Sequence, residues 1–164
     1  MTVVNLDDHY SICFADASHN VADLTLLLKE CIEESPYAKY TRDQATLEGT
    51  ARWFMKGLNK EGCLILLKKG DQPVGFLAAV MQDTHPLIAI APTASELAWW
   101  IHPKHRNSGH ADAMLEVFEM WAKWAGCVRI TFALMKNMYQ DKVRDMFNKR
   151  GFVHAEEWFT KEIE

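Results

Sequence analysis

Residues 96–115, ELAWWIHPKHRNSGHADAML, decide the fold, because three kinds of local pattern meet in them. The apolar run that ends at Ile101 is typical of a buried strand. Pro103 ends that strand, since proline has no N–H group to donate to a neighbouring strand. Residues 106–109, RNSG, contain no apolar side chain and predict a loop. The apolar residues that follow recur at helical spacing, and Gly126 predicts the end of the helix.

A loop that leads into a helix in this way can bind an anion. The N–H groups of a first helical turn have no partner within the helix, and the aligned peptide dipoles add partial positive charge there. Gly109 and the small Ala111 would leave room for the anion, while Arg106, Lys104 and nearby histidines would add positive or ionisable groups. The alternative is structural: Ser108 caps the helix and Gly109 is a turn residue. Residue chemistry alone gives the two interpretations equal weight.

Two motifs resemble those of one enzyme family. Residues 101–111, IHPKHRNSGHA, resemble the acyl-CoA loop of the GNAT family of N-acetyltransferases, whose pattern is roughly V-x-P-x-x-[RQ]-G-x-G-x-[GA]. Asn107 departs from it by replacing the first glycine. Residues 147–152, FNKRGF, are similar to the Y-x-K-x-G-F box of the family, with Phe147 where tyrosine is usual. The resemblance covers about the second half of the chain.

The resemblance implies a fold and a co-substrate. The fold class is α/β (α+β): one acyl-CoA N-acyltransferase domain over residues 1–164, with a mixed, mostly antiparallel, splayed sheet flanked by helices. The co-substrate is acetyl-CoA. The pantetheine-binding asparagine of the family falls near Gln140, with Asn137 as the other candidate. The residues expected to bind acetyl-CoA are Trp100, Ile101, His102, Arg106, Asn107, Ser108, Gly109, His110, Ala111, Gln140 and Phe147.

Acyl transfer to an amine sets the expected catalytic groups. The amine must lose a proton to attack the thioester. The resemblance implies that Glu96, at the start of the central strand, accepts it through water, with a structural salt bridge as the alternative. A backbone N–H of Trp100 or Ile101 would stabilise the oxyanion. The family tyrosine that protonates the leaving thiolate falls on Phe147, which cannot donate a proton. Tyr139 is a substitute, although its spacing does not match.

The function implied is transfer of an acetyl group to a primary amine of an amine-bearing small molecule or protein. Because Asn107 and Phe147 depart from the pattern, a catalytically silent domain used for binding or assembly stays open, as does an acyl-CoA sensor. Residues 82–94 form a long excursion, which shapes an acceptor pocket or an interface of a homodimer. Aromatic residues of the first half are either acceptor contacts or packing residues: Tyr37, Tyr40, Trp53 and Phe54.

Composition limits the other classes. A chain of 164 residues with a formal charge of −4 predicts one globular domain, without the basic surface of a nucleic-acid-binding protein. Its apolar runs are shorter than a membrane span, and we expect no secretion signal. Four scattered cysteines favour a reducing compartment, so we expect the protein to be cytoplasmic. His102, His105 and His110 lack further ligands at metal-binding spacing, so no metal is expected.

The remaining patterns predict the order of elements. Strict alternation in the central strand would place Glu96 and Trp100 on one face, whereas the bulge of the family would switch the faces partway. Asn20 is predicted to cap the first helix, and Thr41 or Asp43 to begin the second. The expected strands are 11–16, 63–69, 74–81, 96–102, 128–134, 152–154 and 158–161, and the expected helices are 20–35, 41–58, 109–125 and 139–149.

Overall fold

The structure is a computed structural model, and it describes residues 3–7, 9–16, 18–40, 42–82, 92–106, 108–135 and 140–155. For residues 3, 57–60 and 140 it describes the backbone alone. The chain divides into two compact units, Met1–Ala133 and Leu134–Glu164. The prediction of one domain over the whole length stays a prediction.

The first unit contains six strands and three helices within its described residues. The strands are β1 (Val3–Asn5), β2 (Tyr10–Phe14), β3 (Gly62–Lys69), β4 (Gln72–Gln82), β5 (Thr93–Ile101) and β6 (Arg129–Thr131). The helices are α1 (Val21–Glu34), α2 (Gln44–Glu61) and α3 (His110–Trp124), with short 3-10 turns at Ala38–Tyr40 and Pro103–His105. Strand β1 has no counterpart among the predicted elements.

The strands form one mixed sheet in the order β1-β2-β3-β4-β5-β6. Every neighbouring pair is antiparallel except β5 and β6, which are parallel. The predicted mixed and mostly antiparallel sheet is therefore confirmed. The parallel pairing is short, because it joins Thr93–Ser95 to Arg129–Thr131 and then ends, although β5 continues to Ile101.

A bulge interrupts β5 at Leu97. Ala78 pairs with Ala98, but the next residue, Ala79, pairs with Glu96, so Leu97 is the extra residue. Paired residues share a face of the sheet, which places Glu96 and Ala98 on opposite faces. Strict alternation, with Glu96 and Trp100 on one face, is therefore wrong, and the switch of faces by a bulge is confirmed.

The helices cover both faces of the sheet. Helices α1 and α2 pack against β4 and β3, and α1 ends at a residue that reaches Trp100 of β5. Helix α3 carries Phe118, whose ring lies 5.4 Å from that of Phe132, while Phe132 contacts Trp99 at 5.6 Å. Because Trp99 and Trp100 alternate in the strand, α3 lies on the face opposite α1. The core between these layers is apolar and fully buried at Phe76, Leu77, Ile65 and Leu115, among others.

The second unit contains α4 (Gln140–Lys149), which ends at a glycine. Gly151 adopts a φ of +82°, and the N–H groups of Gly151 and Phe152 donate to the carbonyls of Asn148 and Phe147. The rings of Phe147 and Phe152 lie 5.0 Å apart, the apolar contact that accompanies this kind of helix end. Residues 152–154 were predicted as a strand, and this is wrong, because Phe152 folds back on its own helix. The predicted partner strand, 158–161, lies outside the described residues.

Candidate functional site

The central feature of the candidate site is the edge of β5 beyond Ser95. Strand β6 pairs with β5 only as far as Ser95, and no described strand lies beside the following residues of that edge. Peptide N–H and C=O groups that point outward from such an edge can pair with an extended ligand as a further strand would. The splayed sheet therefore presents a strand edge that leads directly into the 106–111 loop.

Alternation along β5 distinguishes the two candidate oxyanion donors. The N–H of His102 donates to the carbonyl of Val74 on β4 at 2.9 Å. Successive peptide groups point to opposite edges, so the N–H of Trp100 also points to β4, and that of Ile101 points to the other edge. Gly75 permits the close approach of β4 here, because a Cβ at that position would lie 3.0 Å from the carbonyl oxygen of Trp100. Of the two donors, Ile101 faces the open edge.

Gly109 shapes the beginning of α3. Its φ of +79° lies in the left-handed region, and it occupies the N-cap position without any side-chain hydrogen bond to the helix. The first helical hydrogen bond runs from the N–H of Ala113 to the carbonyl of Gly109. Apart from its neighbours in the chain, no described residue has an atom within 4 Å of a Cβ placed on Gly109. Ser108 does not cap the helix, so the structural alternative is wrong on that point, while anion binding at this helix end stays a prediction.

Arg106 does not point its charge toward this helix end. Its guanidinium makes two hydrogen bonds to Glu34, the last residue of α1, at 2.7 Å to Oε1 and 2.5 Å to Oε2. Its Nε donates to the carbonyl oxygen of Ile101 at 2.6 Å, and the Trp100 Nε1 donates to the same Glu34 carboxylate at 2.6 Å. The Arg106 guanidinium is the main cause that lowers the pKa of Glu34. The positive charge expected for the anion site is thus already paired, and sequence reasoning missed Glu34.

Histidines of the loop pack around a tyrosine that the sequence did not single out. The hydroxyl of Tyr10 lies 2.8 Å from Nδ1 of His105, and the Tyr10 ring lies 4.2 Å from that of His110. The buried His110 donates from Nδ1 to the carbonyl oxygen of His105 at 3.0 Å, and His102 accepts a hydrogen bond from the N–H of Lys104. Burial, followed by the neighbouring His102, lowers the pKa of His105. These histidines hold the loop in place more than they add positive charge to it.

Glu96 lies next to the bulge, in a half-buried position. Burial raises the pKa of its carboxyl to about 7, and the N–H of Ala133, at 3.5 Å from Oε2, acts weakly in the opposite direction. Among the described residues no cationic side chain pairs with Glu96, so the salt-bridge alternative finds no support there. A carboxyl with a pKa near 7 can exchange a proton with an amine at neutral pH. This is the property that the predicted base requires.

The raised pKa of Glu96 has a consequence for stability. The folded chain keeps a proton at Glu96 up to about pH 7, whereas the unfolded chain releases it near its ordinary value of 4.5. The free energy of unfolding should therefore fall as pH rises from about 4.5 to about 7, by at most about 3 kcal/mol. Glu96→Gln should remove this part of the slope, which urea unfolding at pH 5 and pH 8 would measure. Equal slopes in both proteins would contradict the raised pKa.

Four predicted site residues are not located relative to this edge. Asn107 and Tyr139 lie outside the described residues, and of Gln140 only the backbone is described, in the first turn of α4. Phe147 is buried in the second unit, next to Phe152. Their predicted roles toward acetyl-CoA stay predictions, as does the thiolate acid.

A pocket of about 300 Å³ opens at the end of α1. Its lining residues are Ile32, Tyr37, Tyr40 and Arg42. Tyr37 and Tyr40 are each about half exposed, at 53% and 54%, so neither is a core residue, and their role as acceptor contacts stays a prediction. Trp53 is also exposed, but Phe54 is buried and serves packing.

Neither a candidate metal-binding group nor a membrane-spanning helix occurs among the described residues. None of their histidine, cysteine, aspartate and glutamate side chains form a group of three or more that could hold a metal ion. None of their helices has the length and apolar character needed to cross a membrane. Of the four cysteines, Cys13, Cys31 and Cys63 are buried and free of disulfides, in agreement with a packing role.

Comparison with known proteins supplies independent evidence. The model of the acetyltransferase (GNAT) family matches residues 24–152. No curated protein sequence matches the chain.

Solved structures resemble the fold over nearly the whole chain. An AAC(6')-Iy structure, in complex with the bisubstrate analogue CoA-S-monomethyl-acetylneamine, has a TM-score of 0.75 at 12% identity and covers 96% of this chain and 99% of its own. A transcriptional regulator from Bacillus halodurans C-125 has a TM-score of 0.74 at 20% identity, and the match covers 94% of this chain and 100% of the regulator. The aminoglycoside antibiotic 6'-N-acetyltransferase AAC(6')-IG from Acinetobacter haemolyticus has a TM-score of 0.67 at 20% identity, with 93% and 99% covered. At these identities the likeness shows the fold alone.

Proposed function

Because this chain belongs to the GNAT family of acetyltransferases, we propose that it transfers an acetyl group from acetyl-CoA to a primary amine by direct attack of the amine on the thioester. The observation that carries the proposal is the open edge of β5 leading into the glycine-capped start of α3. The pantetheine arm would lie along the edge, and the pyrophosphate would accept hydrogen bonds from the first turn of α3. An acyl-CoA co-substrate agrees with the coenzyme analogue bound to the AAC(6')-Iy structure.

The proposed chemistry uses groups of β5. Glu96, as a carboxylate, accepts the proton of the attacking ammonium directly or through water, which frees the nitrogen lone pair. The nitrogen then bonds to the thioester carbon, and the developing oxyanion accepts a hydrogen bond from the N–H of Ile101. Collapse re-forms the carbonyl and breaks the carbon–sulfur bond. The nitrogen, which is positively charged after the attack, gives up its second proton, and the leaving thiolate gains one, directly from the nitrogen or relayed by Tyr139, another group or water. The products are an amide and free CoA.

The direct test has two steps. Acetyl-CoA should raise the melting temperature of the protein, and free thiol should then appear when an amine of the correct class is added. Stabilisation without thiol release across a broad amine panel would favour the catalytically silent domain or the acyl-CoA sensor. Absence of stabilisation by acetyl-CoA would overturn the proposal.

The pocket at the end of α1 supports a proposal about the acceptor. Its lining includes two tyrosines and Arg42, and the nearby Lys39 Nζ lies 4.9 Å from the centre of the Tyr40 ring. An aminoglycoside carries several ammonium groups, which a pocket with this arginine would repel. We therefore propose an amine acceptor that also carries a carboxylate, bound by Arg42 as a planar, bidentate pair.

Reversing the charge of Arg42 tests this acceptor class. Arg42→Glu should raise the KM of a carboxylate-bearing amine roughly 10-fold, because a charge-assisted contact is replaced by repulsion, and should leave the KM of an uncharged amine unchanged. Arg52→Glu is the matched control, since it makes the same change of charge on the exposed surface of α2. The Arg52 guanidinium lies there 3.9 Å from the carboxylate of Glu48. Preference for an aminoglycoside, insensitive to Arg42→Glu, would contradict the proposed class.

Three further expectations are also proposals. They are a cytoplasmic location, the absence of nucleic-acid and membrane partners, and a homodimer built on residues 82–94, of which 83–91 lie outside the described residues.

A further inference from the structure

The pairing of Glu34 with Arg106 joins two parts of the chain that lie 72 residues apart. Both carboxylate oxygens of Glu34 accept hydrogen bonds from the guanidinium, and Oε2 also accepts one from Trp100. A third donor of the guanidinium, Nε, is bound to the carbonyl of Ile101. The side chains are largely shielded from water, with exposed fractions of 16% for Arg106 and 27% for Glu34.

We propose that Glu34 and Arg106 are positioning residues, which hold the turn of residues 102–106 and the start of α3 in the arrangement that receives the pyrophosphate of CoA, and that Arg106 does not itself bind the phosphate. The inference rests on the proposed function only for the identity of the ligand.

The geometry explains how this pair would fix the loop. The bond from Arg106 Nε to the Ile101 carbonyl closes the turn that follows β5, because it ties the residue before the turn to the residue after it. The ion pair then anchors the closed turn to the end of α1. Gly109 begins α3 only three residues beyond Arg106, so the direction of the open helix end depends on this anchor.

The electrostatics agree with a positioning role. A guanidinium whose charge is matched by a carboxylate through two short hydrogen bonds attracts a phosphate weakly, and moving it to the phosphate would leave Glu34 partly buried without its counter-charge. The backbone N–H groups of α3 and the helix dipole supply the attraction instead, without rearrangement.

Glu34→Gln, which removes the charge of Glu34, distinguishes a phosphate-binding Arg106 from a positioning one, because the two roles predict opposite changes in CoA affinity. If Arg106 is a phosphate ligand that Glu34 restrains, Glu34→Gln frees the guanidinium and tightens CoA binding. If the pair positions the loop, Glu34→Gln reduces the fraction of molecules with a competent loop, and CoA binding weakens by that fraction. We expect binding roughly 10-fold weaker by isothermal titration calorimetry, equivalent to about 1.4 kcal/mol.

Two variants control for charge and for the indole contact. Glu33→Gln removes the same charge from the neighbouring, exposed residue, whose carboxylate lies 3.9 Å from Lys29, so it should leave CoA affinity unchanged. Trp100→Phe removes the indole donor and keeps the ion pair, so its effect should be smaller than that of Glu34→Gln.

A measurement without ligand keeps this inference separate from the proposed function. Amide hydrogen exchange of residues 104–113 should be faster in Glu34→Gln than in wild type, while exchange in β3 and β4 stays the same. Wild-type protein that binds no CoA would overturn the proposed function, and unchanged exchange in the variant would overturn the positioning role. CoA affinity equal to or tighter than that of wild type would also overturn it. Glu34→Asp, which keeps the charge but shortens the side chain, should give the same weakening and replaces Glu34→Gln if that variant does not fold.

Discussion

Gly109→Glu should abolish the stabilisation of this protein by acetyl-CoA. The glycine is the N-cap of α3, and a side chain built on it would extend into open space. A glutamate there would place a carboxylate where the pyrophosphate is proposed to lie. Ligand at ~100 times its dissociation constant should add roughly 2.7 kcal/mol to the stability of wild type and almost nothing to that of the variant. Thermal unfolding with and without acetyl-CoA measures the difference.

The fold itself should tolerate this change. A side chain at a φ of +79° costs roughly 1–2 kcal/mol. A carboxylate at a helix N-terminus recovers about 0.3–1 kcal/mol through the helix dipole. Loss of ligand binding is therefore expected in a protein that still folds, which circular dichroism would verify.

Gly126 offers a matched control at the opposite end of the same helix. Its φ is also +79°, and a Cβ there would likewise meet no atom within 4 Å. Gly126→Glu therefore carries the same backbone strain and the same added charge, but it lies far from the helix N-terminus. We expect it to keep the full response to acetyl-CoA. A response retained by Gly109→Glu, or lost equally in both variants, would count against the proposed pyrophosphate site.

Features encoded by short stretches of sequence were predictable. Asn20 caps α1 by accepting a hydrogen bond from the N–H of Ala22, and Gly126 ends α3, as the residue types indicated. The strand, loop and helix of residues 96–115 also form where expected. At the two helix ends the deciding interaction joins residues within about five positions, where the properties of a residue type are sufficient.

Features that depend on distant residues were not predictable. Glu34 looks like any surface carboxylate at the end of a helix, and only the folded chain brings it to Arg106. The hydrogen bond of Tyr10 to His105 spans 95 residues. For the same reason the sequence offered the charge of Arg106 as part of the anion site, whereas the folded chain pairs that charge elsewhere.

The error at the end of the described chain has a local cause. Residues 152–154 have the apolar character of a strand, but the glycine before them reverses the backbone and directs Phe152 onto Phe147. The Gly-Phe pair that suggested the family box is also a helix-ending motif. The helix-ending property of the Gly-Phe pair, not an alternating apolar pattern, decides the conformation of residues 152–154.

Glu96→Gln should lower turnover by about 10²–10⁴-fold near neutral pH, the usual effect of removing a general base. The amide has nearly the same size as the carboxyl and can still accept the N–H of Ala133, so packing next to the bulge should change little. Affinity for acetyl-CoA should stay close to that of wild type, because the carboxyl is proposed to act on the amine and not on the coenzyme. The acetyl-CoA response in thermal unfolding provides that comparison.

The dependence of rate on pH identifies the role more sharply than the rate alone. In wild type, kcat/KM should rise as pH increases through about 7, because Glu96 must lose its proton before it can accept one from the amine. Glu96→Gln should lose this rise and keep only the rise that reports the acceptor amine. The two rises can be distinguished if the acceptor amine has a pKa well away from 7.

Glu116→Gln is the control for net charge, since Glu116 lies exposed on α3. It should preserve both the turnover and the pH profile. If Glu96→Gln retained the rise near pH 7, another group would have to be the base, and Glu96 would have a structural role only. If the rise disappeared together with the pH-dependent part of stability between pH 4.5 and 7, one titrating carboxyl would account for both observations. That joint loss is the result we expect, because burial next to the bulge acts on the same proton in both measurements.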